Sequence, residues 1–593
     1  MRHDNRSRIL VIGILFVILF ISALGRLFYL QIWRGENYRQ AAQNQQSVAE
    51  AVLPERGNIY LATRNSSGSE TNNPQSNVVP LALTKTWYDI WVSPREIIES
   101  EKEKMAQGLS RILSLDFDSV QEKIFKPNDP YEPIKNKVDK QVVMELERQA
   151  YKGVHWKAFH DRYYPLGELA SQVAGFVSPE IDNLGANASS DLKTGKYGLE
   201  GYYNNQLRGQ AGFISGFKKA LGSLILPLSR ITKPKKGQDI YLTLDYNIQL
   251  TLERELKKAA EKYSADGASA IVMDPQTGAI LAMANWPDFD PNKYNEVKNA
   301  STFLNTNTQL VFEPGSIFKP ITMAAALDIN AVSPDLKYND TGEVTVSGFT
   351  IRNSTREAWG EQTMTQVLEK SLNTGAIFAL RRMPQGVWRE YIKNFGFAEK
   401  TGIALSGEAK GDINNLNSGV EVDWVSSAFG QGISVTPLAM AGAIGVIANG
   451  GELLKPYLVS KIVDGDRVVF EGGKVVKRRV IKTTTSAALT KMLVNVVENG
   501  SGRQARIPGY SVAGKTGTAQ VSGPTGGYTD ETIHTFVGYS PAYEPKFLML
   551  IRLDNPKGVR FSETSTTPVF RSVGEFILRY LNVKPDKPLQ SKN

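Results

Sequence analysis

The chain has no cysteine and only four histidines among its 593 residues. The first absence removes disulfides, thiolate nucleophiles and cysteine-ligated zinc together. The histidines, His3, His155, His160 and His534, lack the spacing of a ligand pair one helical turn apart. Hydrolytic or acyl-transfer chemistry here therefore calls for a base other than histidine. No basic and aromatic constellation points to nucleic acid as a partner. No strong charge excess exists either: Lys and Arg number 69 against 60 Asp and Glu, and the net +9 fits an ordinary basic surface that also tolerates anionic lipid or polymer. At 41% hydrophobic and 22% charged, the composition excludes disorder over most of the length, and 593 residues suit more than one domain. No internal repeat is evident.

One long apolar run is present. Residues 9–25, ILVIGILFVILFISALG, carry no charge, and these 17 positions sit at the short end of a bilayer-spanning helix. Arg26 can snorkel, so residues 27–32 extend the segment. Arg2, Arg6 and Arg8 precede it. Positive charge stays inside, which makes residues 1–8 a short cytoplasmic tail, 9–32 a transmembrane helix and the remainder external. A cleaved signal peptide is the alternative. The run exceeds a usual signal core and no small-x-small site follows it, and both readings place the rest of the chain outside the cytoplasm.

Residues 37–236 read as one region or a pair of small ones, which the resemblance given below implies to be non-catalytic. Within it, residues 64–77, RNSSGSETNNPQSN, have the composition of a mobile loop. The turn-forming, basic TKPKKG at 232–237 marks a boundary. Beyond it, IYLTLDYNIQLTLERELKKAAEKY begins as a strand and becomes an amphipathic helix, and ASAIVMDPQTGAILAMA reads as a hairpin around Asp274-Pro275-Gln276-Thr277-Gly278. HTFVGYSPAYEPKFLMLIRLDNP repeats the strand–turn–strand pattern, and residues 566–583 read as a helix. Strands at both ends with helices between them predict an α+β domain over 237–583, an antiparallel sheet packed against helices. Residues 584–593, KPDKPLQSKN, read as a disordered tail.

Three patterns stand in order: Ser316-Ile317-Phe318-Lys319, Ser371-Leu372-Asn373 and Lys515-Thr516-Gly517-Thr518. They match the S-x-x-K, S-x-N and K-T-G signatures of serine acyl-enzymes. Each alone is weak, since S-x-x-K recurs at Ser190 and Ser215, and K-T-G at Lys193 and Lys400. Context selects among them. Pro314 and Gly315 suit entry to a helix, and apolar MAAALDI continues it. Spacing of three then places Ser316 and Lys319 on one face. Ser316 is the expected nucleophile, and a lysine can take its proton where burial or neighbouring cations lower the amine's pKa. A helix start also favours an oxyanion. Ser371 and Asn373 follow a helical segment; either the hydroxyl relays a proton and the amide holds substrate, or Ser371 caps a helix end. Lys515 fits an edge strand facing a cleft, its charge available to a carboxylate, with Gly517 admitting a substrate backbone. Lys400-Thr401-Gly402 reads instead as a turn before a strand IALSG.

With these motifs in place the chain resembles class B penicillin-binding proteins, and among them the cell-division peptidoglycan transpeptidases (FtsI-like). The resemblance covers nearly the whole chain: the apolar anchor, Arg56-Gly57-Asn58-Ile59, Arg162-Tyr163-Tyr164-Pro165-Leu166-Gly167, Gly198-Leu199-Glu200-Gly201, FEPGSIFKP, SLNTG, FGFAEKTGIALSGE, AGKTGTAQ and FVGYSPAYEPKF. One departure is Tyr60-Leu61-Ala62-Thr63-Arg64, where the family often has an Asp-Arg pair. The resemblance implies a penicilloyl-serine transferase (β-lactamase/transpeptidase-like) fold after a pedestal or dimerisation-type domain. It implies that Ser316 attacks the penultimate D-alanine carbonyl of a peptidoglycan stem peptide, releases D-alanine, and passes the acyl group to a neighbouring amine. Lys319 would be the general base and Ser371 the relay. Asn373 would contact the substrate amide, and Lys515, Thr516 and Thr518 its carboxylate. The backbone N–H groups of Ser316 and Thr518 would form the oxyanion hole. β-Lactams are implied ligands, no metal or organic cofactor is implied, and a SEDS-type glycan polymerase and other division proteins are the expected partners.

Rival readings are an elongation-type transpeptidase, a β-lactamase or carboxypeptidase, a β-lactam sensor and an inactive scaffold. The glutamate pattern of class A β-lactamases occurs only as Glu369 to Asn373, overlapping S-x-N. A cytoplasmic tail of about eight residues is too short for a sensor's output domain. Complete motifs oppose a scaffold.

Overall fold

The computed structural model describes residues 4–34, 47–64, 78–179, 193–218, 224–225, 231–523 and 527–588. Residues 65–77 of the expected mobile loop, Ser190 of one competing S-x-x-K and residues 589–593 of the expected tail lie outside them. An α-helix, Asp4–Phe28, runs on into a π-helical turn, Tyr29–Trp33. Its apolar stretch Ile9–Ile32 has 24 residues, mean hydropathy 2.6 and no burial. At about 1.5 Å per residue it is long enough to cross a hydrocarbon core of about 30 Å. It is the only such helix among the described residues.

By compactness the chain divides into Met1–Glu55 with Arg208–Gly237, and Arg56–Leu207 with Gln238–Asn593. In the first unit, Gly212–Lys218 pairs antiparallel with Ser47–Val52, Leu224–Ile225 and Ile231–Thr232. Ser215 therefore sits in a strand, without a helix behind it.

The second unit holds two large sheets. One, in the order Arg467–Glu471, Val459–Asp464, Asp239–Asp245, Ile59–Ala62, Val78–Val92, Glu132–Val138, joins strands far apart in the sequence, with Val154–Tyr163 also on Val78–Val92. Its one parallel pairing is between Ile59–Ala62 and Asp239–Asp245. At its root three of the short N-terminal motifs meet. The carboxylate of Glu200, 0% exposed, accepts from Arg56 Nε at 2.7 Å and from Arg162 Nε at 2.6 Å. Arg162 also donates to the Gly57 carbonyl at 2.7 Å.

The other sheet is antiparallel throughout, in the order Ile280–Trp286, Gly267–Met273, Phe547–Asp554, Tyr528–Ser540, Ala513–Ser522. Its central strands are apolar at almost every position because both faces are covered. Ala268, Ala270 and Val272 pack with Leu252 and Leu256 of helix Tyr246–Lys262 and with Phe570 and Ile577 of helix Thr567–Tyr580. The alternate residues, Ile271 and Met273, join the cluster holding helices Lys319–Asp328 and Pro437–Ala448. The latter is apolar on every side and nearly all buried, as a central helix must be.

The hairpins, the strand–helix of 239–262 and the C-terminal helix follow the sequence pattern. Two expectations fail. Residues 403–407, IALSG, form no strand; the preceding loop is held by Glu408, whose carboxylate accepts from the Thr401 and Gly402 N–H groups. The tail is also not free from residue 584: Asp586 accepts from Ser511 N at 2.8 Å, and its backbone N–H reaches the Gly509 carbonyl. Composition shows only that a segment is polar, and cannot show that a neighbouring loop offers it hydrogen-bond partners.

Candidate active site

Ser316 lies in a 3-10 turn, Gly315–Phe318, that continues as the α-helix Lys319–Asp328. Two glycines shape the entry. Gly315 has φ +57 and donates to the Gly430 carbonyl at 3.0 Å; Gly430 has φ +75, and a Cβ there would stand 2.4 Å from the Gly315 oxygen. Both therefore need to be glycine. Ser316 keeps partial exposure, whereas every residue of the following helix is buried. The segment thus delivers one reachable hydroxyl and, a turn later, an amine sunk in the core.

That amine belongs to Lys319, 1% exposed. It donates to the Ser371 carbonyl, and lies 3.1 Å from the Ser371 hydroxyl. Lys515, also 1% exposed, reaches the same hydroxyl at 2.9 Å and its neighbour's Thr516 carbonyl at 3.0 Å. Ser371 sits between helices Met364–Glu369 and Asn373–Arg381 with φ +57, a conformation costly for a residue with a Cβ. Lys370 and Leu372 occupy the two helix-cap positions, and the Ser371 hydroxyl faces the lysines. Of the two sequence readings of Ser371, capping is the one its side chain does not serve.

Asn373 opens the next helix. Its side-chain N–H₂ donates to the Arg352 carbonyl at 2.8 Å, and its backbone N–H donates to Asn353 Oδ1 at 2.9 Å. The Asn353 amide donates in turn to the buried Asp340 carboxylate at 3.0 Å, and the Thr374 hydroxyl donates to Asp340 at 2.6 Å. Asp340 also accepts from the Trp359 N–H at 2.9 Å. This network ties the turn bearing Ser371 and Asn373 to the neighbouring hairpin. Sequence reasoning missed Asp340 and Asn353, because neither lies in a recognisable spacing.

Lys515 to Thr518 lie on the strand Ala513–Ser522 at the edge of the five-stranded sheet. Alternation puts Lys515 and Gly517 on one face and Thr516 and Thr518 on the other. The Thr516 hydroxyl is 2.7 Å from Ser501 Oγ, and the Thr518 hydroxyl accepts from Ser562 N at 3.1 Å. Ser501 and Ser562 are further hydroxyl neighbours that the motifs did not reveal. A Cβ on Gly517 would meet Thr535 Oγ1 at 2.4 Å and the Ile317 backbone nitrogen at 3.2 Å. Its missing side chain therefore lets the strand close on the turn of Ser316.

Electrostatics sets the two lysines apart. Burial, and then the neighbouring Lys515 charge, hold the Lys319 amine well below the usual lysine range. Burial pushes Lys515 down to about 7. Among the described residues no carboxylate pairs with either. A neutral amine at Lys319 has a lone pair to take a proton, and a charged one at Lys515 lacks an anion. The pair can thus activate a hydroxyl and attract a carboxylate. His534 is fully buried, bonded to Ser565 Oγ at 2.9 Å and pushed down to about 4 by burial. It stays neutral, directly across the strand pair from Thr518. The remaining K-T-G copies lie elsewhere, Lys193 to Gly195 in strand Lys193–Lys196 and Lys400 to Gly402 in the loop held by Glu408.

Comparison with known proteins agrees with this architecture. The profile of the penicillin-binding protein transpeptidase domain matches residues 268–575, and that of the penicillin-binding protein dimerisation domain matches residues 52–242. Stage V sporulation protein D of Bacillus subtilis is 34% identical over 99% of this chain and 88% of its own length. Peptidoglycan D,D-transpeptidase FtsI of Escherichia coli is 28% identical over 86% of this chain and 83% of its own. The crystal structure of penicillin-binding protein 2X from Streptococcus thermophilus superposes with a TM-score of 0.76, at 24% identity, over 91% of this chain and 81% of that one, and shares the fold. An α+β transpeptidase domain behind an N-terminal dimerisation domain, carrying all three motifs, places this chain in the class B penicillin-binding protein family, as a penicillin-binding D,D-transpeptidase.

Proposed function

We propose that Ser316 is the acylated nucleophile of a membrane-anchored transpeptidase that cross-links peptidoglycan stem peptides during division. The observation that carries this reading is the Ser371 hydroxyl held between two buried lysines directly behind the Ser316 turn. Lys319 takes the Ser316 proton as Oγ bonds to the penultimate D-alanine carbonyl. The backbone N–H groups of Ser316 and Thr518 hold the oxyanion. On collapse the C–N bond breaks, and the proton passes through Ser371 to the departing D-alanine amine. Lys515, with the Thr516 and Thr518 hydroxyls, holds the terminal carboxylate, and Asn373 the peptide backbone. An acceptor amine then attacks the ester, returning the proton to Ser316. β-Lactams enter by the same first step and remain as the ester.

The helix Ile9–Ile32 anchors the chain once in the plasma membrane, and Arg2, Arg6 and Arg8 keep its N-terminus cytoplasmic with the catalytic domain outside. A SEDS-type glycan polymerase and other division proteins supply the strands to be joined. A second reading keeps the chemistry and changes the occasion, because the relative at 34% identity is named for sporulation. Labelled penicillin followed by peptide mapping tests the core of the proposal: the adduct is expected on Ser316 and absent from Ser316→Ala, and a label on another serine overturns it. Stem-peptide turnover that rises with an added acceptor amine distinguishes transfer from hydrolysis. Arrested septation in growing cells depleted of the protein supports division; normal septation with defective spores selects the alternative.

A further inference from the structure

Glu313 lies three residues before Ser316 and outside the three motifs. Its backbone is fixed on both sides. Phe312 exchanges two backbone hydrogen bonds with Val435, each 3.0 Å, and Gly315 donates to the Gly430 carbonyl. The half-buried Glu313 carboxylate accepts from three groups: the Gly432 N–H at 3.1 Å, the Tyr528 hydroxyl at 3.1 Å and the Ser522 hydroxyl at 3.4 Å. Burial raises its pKa, and only these three donors oppose the shift; among the described residues no lysine or arginine does. The carboxylate is therefore held by directional bonds and not by a counter-charge.

Ser522 and Tyr528 face each other at the outer end of the hairpin formed by Ala513–Ser522 and Tyr528–Ser540. The pairing shifts register between Gln520 and Ser522, so the ladder is interrupted just before that end. Further in, the same strand touches the Ser316 turn twice. A Cβ on Gly517 would stand 3.2 Å from the Ile317 nitrogen, and one on Gly315 would stand 2.9 Å from the Ala519 Cβ. Turn and strand thus run side by side in opposite senses, Ile317 by Gly517, Gly315 by Ala519 and Glu313 by Ser522. The first two contacts are close packing against a glycine, which limits how near the segments come. The third is polar, with two hydroxyls on a charged acceptor, and holds them together. Across this seam lie the backbone N–H groups of Ser316 and Thr518, assigned above to the oxyanion. Resting on that assignment, we propose that Glu313 is a positioning residue. Through Ser522 and Tyr528 it sets the separation of the Ser316 turn from the Lys515–Thr518 strand, and so aligns the two donors. Gly432 braces the carboxylate from the loop that also holds Gly315.

Acylation of the full chain, purified in detergent, by labelled penicillin at increasing concentration separates the limiting rate from the half-saturating concentration. Glu313→Ala is expected to lower the limiting rate about 10²-fold, the loss that a displacement of about 1 Å produces. The half-saturating concentration should change less than about threefold, because the interaction lost serves the transition state. Tyr528→Phe removes one donor from a side chain that is 45% exposed, and should slow acylation about tenfold. Glu313→Gln keeps one acceptor oxygen for Gly432, and its amide can donate to either hydroxyl, so it should recover most of the rate. E313A with Y528F should be no slower than E313A alone, since both act through one bond. Label reaching one equivalent per chain at long times shows that each variant is folded. Wild-type rates for E313A or Y528F overturn the proposal, and so do losses that multiply in the double variant. A raised half-saturating concentration at an unchanged limiting rate also overturns it, by making Glu313 a ligand contact. Should E313A not fold, Y528F and Ser522→Ala decide: slower acylation at full stoichiometry supports the proposal, and wild-type rates refute it. Label on a serine other than Ser316 refutes the underlying assignment instead, whereas label on Ser316 at an undiminished rate refutes this inference alone.

Discussion

Two buried charge clusters lie in the second compact unit, and they are built on opposite principles. At the root of the N-terminal region, Glu200 stands between Arg56 and Arg162, with the Tyr164 hydroxyl 3.4 Å away. Burial would raise the Glu200 pKa, but the two guanidiniums outweigh it and hold the carboxyl below its usual range. In the candidate site, Lys319 and Lys515 share one serine hydroxyl and no carboxylate. Burial is unopposed there, and both amines are driven down. The first cluster answers each buried charge with its opposite, which fixes structure. The second leaves its charge unanswered, which costs stability and leaves one amine able to take a proton and the other able to hold an anion.

The sharpest way to break this contrast is Lys319→Met. Acylation by labelled penicillin should fall at least about 10³-fold, within the range lost with a general base. The melting temperature should not fall, because the variant removes a buried, uncompensated amine. A large loss of stability would show that Lys319 is structural. Glu200→Gln should do the reverse. Two buried guanidiniums then lose their counter-charge, at a cost of about 3–5 kcal/mol. Thermal melting should drop sharply, while the fraction that remains folded still acylates at the original rate.

These clusters also show how far the sequence could be read. The motif serines and lysines were legible because helical spacing and strand alternation turn short patterns into faces. The hairpins of the transpeptidase sheet were legible for the same reason. The Glu200 cluster was visible only as three unrelated motifs spread over some 140 positions, since nothing local says that Arg56 and Arg162 converge. Asp340 and Asn353 carry no spacing at all, and the packing of Gly517 on the Ser316 turn was not visible because that turn is two hundred residues away in the chain. What failed was long-range contact, the part of a fold that periodicity does not encode.

A smaller effect follows from pH. Lys515 is pushed down to about 7 in the fold, against about 10.4 for an unperturbed lysine. Between those values the unfolded chain binds the extra proton, so this residue's destabilising contribution is full below about pH 7 and fades as pH rises towards 10.4. Lys515→Met should therefore stabilise most at pH 7 and progressively less towards pH 10. Glu200 has the opposite sign: its stabilisation is complete above the ordinary carboxylate range and is lost as pH falls through its lowered pKa. If Lys515 holds the substrate carboxylate as proposed, acylation efficiency should carry a basic limb near pH 7, where its charge is lost. Lys515→Arg keeps its proton at any accessible pH and should remove that limb, though its wider fork lowers the rate itself. A limb that survives in the arginine variant assigns it to another group.

The mildest expected effect separates holding the site from doing its chemistry. Thr374→Val deletes one hydroxyl, the one that donates to the buried Asp340 carboxylate at 2.6 Å. Asp340 keeps its bonds from Asn353 and from the Trp359 N–H, so the network loosens without collapsing. A lost hydrogen bond to a charged group is worth about 1.5–3 kcal/mol, so melting should fall modestly. The helix start bearing Asn373 should shift, and acylation should slow by about tenfold as the Ser371 turn loses register. The pH limb assigned to Lys515 should stay where it is, because no group near that amine has changed charge. Thr374→Ser restores the donor and should recover most of both losses. If T374V moves the limb as well, the network reaches the lysines and the two functions of this cluster are not separable.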